Sequence, residues 1–334
     1  MRPIRISLTT GDVDGIGPEI TAKALEKIKP QKNVQFILWR SPKFPNSYLG
    51  KIDSQFKRIT VNTWPEALNI DDVSSKTLID INSQLDPAKW VELSAQAAMF
   101  NHIDAIATAP MSKTQIQSSG YNKIGHTEIL QTVAKCEDVH MAFIGKKFSV
   151  LLATPHIPLK NVSKALNLKV LKSAIRSANQ LRSLLSNKQA KHPIAVLGLN
   201  PHAGENGLIG NEEEIIKHAI SDLKKGKIPI EGPLVPDAAF FESNWKKYSV
   251  YVACYHDQGL IPFKMIHGQE SGVHITMGLP FLRTSVDHGT AKNIFGKNKA
   301  NPSSMIEAIQ TAIKLAKSSQ TAKMVPTLVK KKGH

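Results

Sequence analysis

The feature that most constrains this chain is the regular exchange between two hydrophobic periods. Short β-branched or aliphatic runs at 5–10, 35–40, 104–109, 148–154, 193–200, 249–256 and 273–277 read as strands. Between them, apolar residues recur every three or four positions over 18–28, 87–100, 163–185, 212–223 and 303–316, the pattern of amphipathic helices. Strands separated by helices argue for a mostly parallel sheet covered on both faces. The length of 334 residues allows about two domains. No long Pro/Gly/Ser linker divides the chain, so two lobes sharing strands fit better than two separate beads.

Composition narrows the function classes. With 41% apolar and 21% charged residues, the chain is neither disordered nor fibrous. No apolar run reaches the roughly 18 residues of a membrane span. Residues 1–10 do not read as a signal peptide, so a cytoplasmic protein is expected. The two cysteines, Cys136 and Cys254, lie in no C-x-x-C pattern, which argues against thiol redox chemistry and cysteine-bound zinc. The net charge of +16 fits nucleic acid, an anionic small substrate or a solvated lysine-rich surface. Aromatics are only 6% and no basic/aromatic stripe occurs, so the reading is a solvated surface with an anionic substrate, without nucleic acid or membrane.

The polar residues that could carry chemistry collect at the ends of these strands, where open α/β sheets bind ligands. Gly11-Asp12-Val13-Asp14-Gly15-Ile16-Gly17-Pro18-Glu19 joins a strand to a helix, as a tight turn or an anion-binding loop; it is not G-x-G-x-x-G. Thr108-Ala109-Pro110-Met111-Ser112-Lys113 is followed by Gly125-His126-Thr127-Glu128, which reads as the start of a helix with Thr127 as its cap. Either this is a capping motif with an incidental histidine, or His126 and Thr127 donate to an anion there. His156, His202 and His256 each close an apolar strand; they are ordinary histidines or, together, a divalent-metal site. Arg283 could clamp a phosphate or carboxylate, or pair with Asp287; the turn Asp287-His288-Gly289-Thr290-Ala291 could face a nucleotide.

Taken together, these motifs resemble the 4-hydroxythreonine-4-phosphate dehydrogenase family of vitamin B6 synthesis over nearly the whole chain. The match is carried by Gly15-Ile16-Gly17-Pro18-Glu19, Thr108-Ala109-Pro110, Lys113, Gly125-His126-Thr127-Glu128 and Gly198-Leu199-Asn200-Pro201-His202-Ala203-Gly204-Glu205. It continues through Gly232-Pro233, Tyr255-His256-Asp257-Gln258-Gly259, Gly278-Leu279-Pro280, Arg283-Thr284-Ser285 and Asp287-His288-Gly289-Thr290-Ala291. The resemblance implies an α/β fold similar to isocitrate and isopropylmalate dehydrogenases: two α/β/α lobes around a central cleft, in a homodimer. One lobe would comprise 1–130 and 283–334, and the other, 131–282, would carry the dimer interface.

The resemblance also implies roles. His156, His202 and His256 would hold one divalent metal near the subunit interface, zinc first, with magnesium or cobalt also compatible. His126, Thr127, Lys264, His274 and Arg283 would bind a small phosphorylated substrate. NAD or NADP would lie near His288, Gly289, Thr290, Ala291 and Asn301. Asp257 and Lys264 are the candidates for catalysis, with Asp257 orienting a ligand histidine or moving a proton. The implied reaction is oxidation of the C3 hydroxyl of 4-phosphooxy-L-threonine, followed by decarboxylation. A sister activity on 4-phosphothreonate or 4-phosphoerythronate is the alternative; a three-histidine hydrolase and a nucleic-acid-binding protein are more remote. Two departures stand out. Val13-Asp14 replaces the family's Pro-Ala, and His274 occupies the place of a substrate-binding asparagine. The loop 265–272 before it is about one residue longer than usual.

Overall fold

A computed structural model describes residues 2–70, 74–121, 125–268 and 272–324, with side chains through 320. The basic cluster at 330–332 and part of the 265–272 loop lie outside the described residues. Twelve strands form one sheet: β1 (Ile4–Thr9), β2 (Val34–Arg40), β3 (Lys57–Val61), β4 (Thr77–Asn82), β5 (Ala105–Thr108) and β6 (His140–Ile144). They continue with β7 (Ser149–Thr154), β8 (Ile194–Leu197), β9 (Ile230–Leu234), β10 (Tyr251–Tyr255), β11 (Val273–Met277) and β12 (Leu282–Ser285). Their order across the sheet is β3-β4-β2-β1-β5-β12-β11-β6-β7-β10-β8-β9.

The sheet is parallel at both ends and antiparallel only at its centre. There β11 runs against both β12 and β6, and β6 runs against β7. The parallel portions are buried on both faces, which is why β2 and β7 are buried at every position and read as continuous apolar runs. Ile6 and Leu8 face Ile20, Leu25 and Ile309 on one side, whereas Ser7 Oγ meets Ser94 Oγ of helix Pro87–Met99 at 2.8 Å on the other. In the other half, Leu151, Val196 and Val252 pack under helices Leu168–Leu184 and Glu212–Lys225, and Leu152 and Ala253 pack against Leu260 and Phe263.

The predicted helix at 163–185 is two helices. Val162–Ala165 ends, and Asn167 restarts the chain by accepting from Val170 N at 3.1 Å, a side-chain cap within a continuous apolar period. Five strands escaped the sequence reading: β3, β4, β6, β9 and β12. Two of them, β3 and β9, are edge strands with half-exposed residues. The helix His256–His267, containing Pro262, follows β10 immediately.

Candidate active site

The ends of β1, β5 and β12 and the start of antiparallel β11 meet at one place, because Ser285 is paired with Thr108 on one side and with His274 on the other. Period two then puts His274 and Thr276 on one face of β11, and Arg283 and Ser285 on one face of β12. The result is a buried polar cluster around Arg283, which is 4% exposed. Its guanidinium donates to Thr108 Oγ1 (2.7 Å), Thr276 Oγ1 (3.0 Å) and His274 Nδ1 (3.2 Å). None of these partners is a carboxylate, and among the described residues no ion pair involves Arg283. Its Nε–H is buried without a partner. Burial without a counter-charge lowers its pKa to about 9. The expected alternative of a structural Arg283–Asp287 pair is not what the cluster contains; Asp287 instead accepts from Ser304 Oγ at 3.1 Å.

His126 opens helix His126–Ala134, with Gly125 as its cap; Thr127 lies inside the helix and is not the cap. Burial, and then the Arg283 charge, push the His126 imidazole down to about 3, so it is neutral and its Nε2 is buried without a partner. His274 is held well below its usual range by burial and the same cation. A phenylalanine ring, Phe143, lies 5.2 Å from it.

Of the three candidate metal ligands, the structure brings two together. His156 and His256 have ring centroids 5.3 Å apart. Burial first, then the neighbouring His256 and Lys113, keep His156 below its ordinary pKa. His256 turns Nδ1 to Asp257 Oδ1 at 2.6 Å, a geometry that leaves Nε2 free to face a ligand. His202 stands apart on the exposed turn Pro201–Gly207, with Nδ1 on Glu205 Oε2 at 2.7 Å. That turn is tied down by buried Glu213, which accepts from the backbone N–H of Leu199 and Asn200. Among the described residues, no three His, Cys, Asp or Glu side chains of one chain converge as a metal set. The donor chemistry fits a metal, but a single chain supplies it only in part.

Beside His256 opens a cleft of about 1040 Å³ lined by His256, Asp257, Lys264, His288, Gly289, Ala291 and Asn301. It brings the candidate catalytic residues together with most of the candidate nicotinamide site. Thr290 is not on its wall; its carbonyl accepts from Ile16 N at 3.0 Å. This contact explains the glycine-rich segment. A side chain at Gly15 would meet the Thr290 carbonyl at 3.2 Å, and one at Gly17 would meet the Thr10 carbonyl at 2.0 Å. The loop is therefore a close backbone packing, not a cradle read from its glycines. Asp14 pairs with Lys292 at 2.8 Å, and buried Glu19 accepts from Lys23 (2.6 Å) and Ala300 N (2.8 Å), fixing the segment before Asn301.

Sequence reasoning singled out Arg283 and His274 but not the hydroxyls that orient them, Thr276 and Ser285. The signal was present: both lie two residues from a chosen residue, on the same face of a strand.

Comparisons with known proteins place the chain in a family. The family described as pyridoxal phosphate biosynthetic protein PdxA matches residues 33–312. A 4-hydroxythreonine-4-phosphate dehydrogenase from Sulfurihydrogenibium sp. is 38% identical, covering 93% of this chain and 98% of its own. A D-threonate 4-phosphate dehydrogenase from Pectobacterium atrosepticum is 35% identical, covering 93% and 99%. The crystal structure of 4-hydroxythreonine-4-phosphate dehydrogenase from Klebsiella pneumoniae superposes with a TM-score of 0.77 at 31% identity, covering 94% of this chain and 99% of that one.

Proposed function

Because this chain belongs to the PdxA family of pyridoxal phosphate biosynthetic proteins, we propose that it oxidises the C3 hydroxyl of 4-phosphooxy-L-threonine with NAD or NADP. The product, 2-amino-3-oxo-4-phosphooxybutanoate, is a β-keto acid and loses CO₂ to give 3-amino-2-oxopropyl phosphate. The observation that carries this reading is Arg283. A buried cation bonded among the described residues only to neutral atoms, with its Nε–H and one Nη2–H left over, has an unmet demand for an anion. A phosphorylated acid supplies two.

In this reading His126, Thr127, His274 and Arg283 hold the anionic groups, and Lys264 reaches them from the cleft wall. His288, Gly289, Ala291 and Asn301 would hold a nicotinamide, with Thr290 behind them fixing the turn through its carbonyl, and that group would supply the hydride acceptor; the cleft volume suits such a ligand. His156 and His256, with His202 of the partner subunit, would hold a divalent metal, which would supply Lewis acidity to the oxidation. Support for a shared site comes from His202 standing exposed and apart in its own chain. Exposed apolar residues nearby in sequence, Leu208 (85%) and Met265 (78%), support a homodimer with the site at its interface. Asp257 keeps the proton on His256 Nδ1 and so presents the Nε2 lone pair. The lobes proposed are 1–130 with 283–334, and 131–282; the sheet order, in which β6 to β11 occupy one contiguous side, supports that division.

The test is metal-loaded protein with 4-phosphooxy-L-threonine and NAD⁺ or NADP⁺, following reduced cofactor and CO₂ together. Equal yields, abolished by chelator, are expected. Turnover of 4-phospho-D-threonate alone moves the assignment to the sister activity. Silence with both acids, in folded dimeric protein, overturns it.

A further inference from the structure

The His274 ring has a proton position that its neighbours dictate. Its Nδ1 lies 3.2 Å from Arg283 Nη1 and 2.8 Å from Ser285 Oγ. A guanidinium nitrogen has protons and no lone pair to offer, so Nδ1 must be the acceptor. The single ring proton of the neutral imidazole then sits on Nε2. That Nε2–H is buried in a residue only 7% exposed and has no partner. A buried donor left unbonded is costly, and here nothing in the fold relieves it. The Arg283 Nε–H is, among the described residues, in the same condition. Neither atom can accept a proton from a ligand. An asparagine amide in the place of His274 would offer a carbonyl as well as an N–H.

Resting on the dehydrogenase reading above, we propose that His274 is a specificity-determining residue that donates from Nε2 to an anionic oxygen of the substrate, making its subsite one for acceptors only. A carboxylate or phosphate oxygen satisfies it; an ammonium or an amide N–H directed at the same point meets a facing proton and is rejected. His274 thereby selects which end of the acid enters beside Arg283. The role is one of binding and orientation, not of proton transfer, because Nδ1 is committed to Arg283 and Ser285.

The direct test is nitrogen-15 NMR of protein labelled at histidine, with the His274 signals identified by their loss in His274→Asn. The expected result is an unprotonated Nδ1 and a protonated Nε2. Inorganic phosphate and, separately, D-threonate without phosphate are then titrated. One of them is expected to move the Hε2 resonance downfield, and the arm that responds identifies whether phosphate or carboxylate occupies the subsite. A proton on Nδ1, or an Hε2 signal indifferent to both anions, overturns the proposal. Neither readout requires turnover, so a failure of the dehydrogenase assignment would be recognised separately. In kinetics, His274→Leu should raise KM about 10- to 100-fold with kcat largely kept, the loss of one hydrogen bond to a charged group. His274→Gln, which restores an N–H donor, should recover part of it. Equal loss in both variants, or an effect on kcat alone, counts against a donor role.

Discussion

Replacing Arg283 by Met should make the ligand-free protein more stable while removing its ability to hold an anion. The guanidinium is 4% exposed and its hydrogen bonds go to Thr108, Thr276 and His274, none of them charged. Burial takes its pKa from the ordinary 12.5 to about 9. At about 1.36 kcal/mol per pH unit, that is roughly 5 kcal/mol of cost to the charged form as an upper bound. The sign is that of a base with a depressed folded pKa. The full penalty is present at every pH below about 9 and is relieved only above it. Methionine fills similar volume without the charge but leaves two threonine hydroxyl oxygens without a donor and His274 Nδ1 with Ser285 Oγ alone, which returns part of the gain. A net stabilisation of about 1–3 kcal/mol is expected, a rise of a few degrees in Tm for a chain of this size. The assay is thermal unfolding of both proteins with and without inorganic phosphate. Phosphate should raise the Tm of the wild type by mass action and leave Arg283→Met unmoved. A variant several kcal/mol less stable than wild type, or one that phosphate stabilises equally, would refute the reasoning that Arg283 is an unpaired charge awaiting an anion.

The remaining predictions concern pH and the elements around the cleft. His126, His156 and His274 all have folded pKa values below the unfolded one, with His126 near 3, so the unfolded chain binds protons that the native state refuses. Stability should be level above about pH 6.5 and fall on acidification below it, by up to about 1.4 kcal/mol per pH unit for each of His126 and His274 and by much less for the solvent-exposed His156; urea titrations between pH 5 and 8 would show a flat profile if these rings were not held neutral. Asp257→Asn should weaken divalent-metal binding about 10- to 100-fold by calorimetry, since it releases the tautomer of His256, while leaving the unfolding free energy within about 1 kcal/mol because Asp257 is exposed. Glu19→Gln should cost about 1–3 kcal/mol and raise KM for the nicotinamide more than for the acid, because Glu19 anchors Lys23 and Ala300 beside the cleft.

The amino-acid sequence by itself determined the class of fold and the identity of most of the cleft. Short apolar runs such as Phe36-Ile37-Leu38-Trp39 within 35–40 suit strands buried on both faces, and the three- and four-residue spacing between such runs supplies the helices that bury them. Position at strand ends and helix starts singled out His126, His156, His256 and Arg283 as candidates, and the resemblance to the family added Lys264 and His274. Edge strands β3 and β9 were not legible, since a half-exposed strand lacks a continuous apolar signal. The break at Leu166 and Asn167 was hidden inside an unbroken apolar period.

What only the tertiary structure decided is where protons and charges sit. Among the described residues Arg283 meets no carboxylate, because the antiparallel pairing of β11 with β12 surrounds it with His274 and Thr276, while Asp287 looks to Ser304. The proton on His274 follows from the same pairing, because register sets Ser285 opposite it and brings the guanidinium to Nδ1. The separation of His202 from the His156–His256 pair is likewise a fact of chain path, set by the turn that Glu213 holds. Periodicity fixes which face a residue occupies; the antiparallel register that folds β11 onto β12, and the contact of Arg283 with Thr108, 175 residues away, come from the chain path and not from any local pattern.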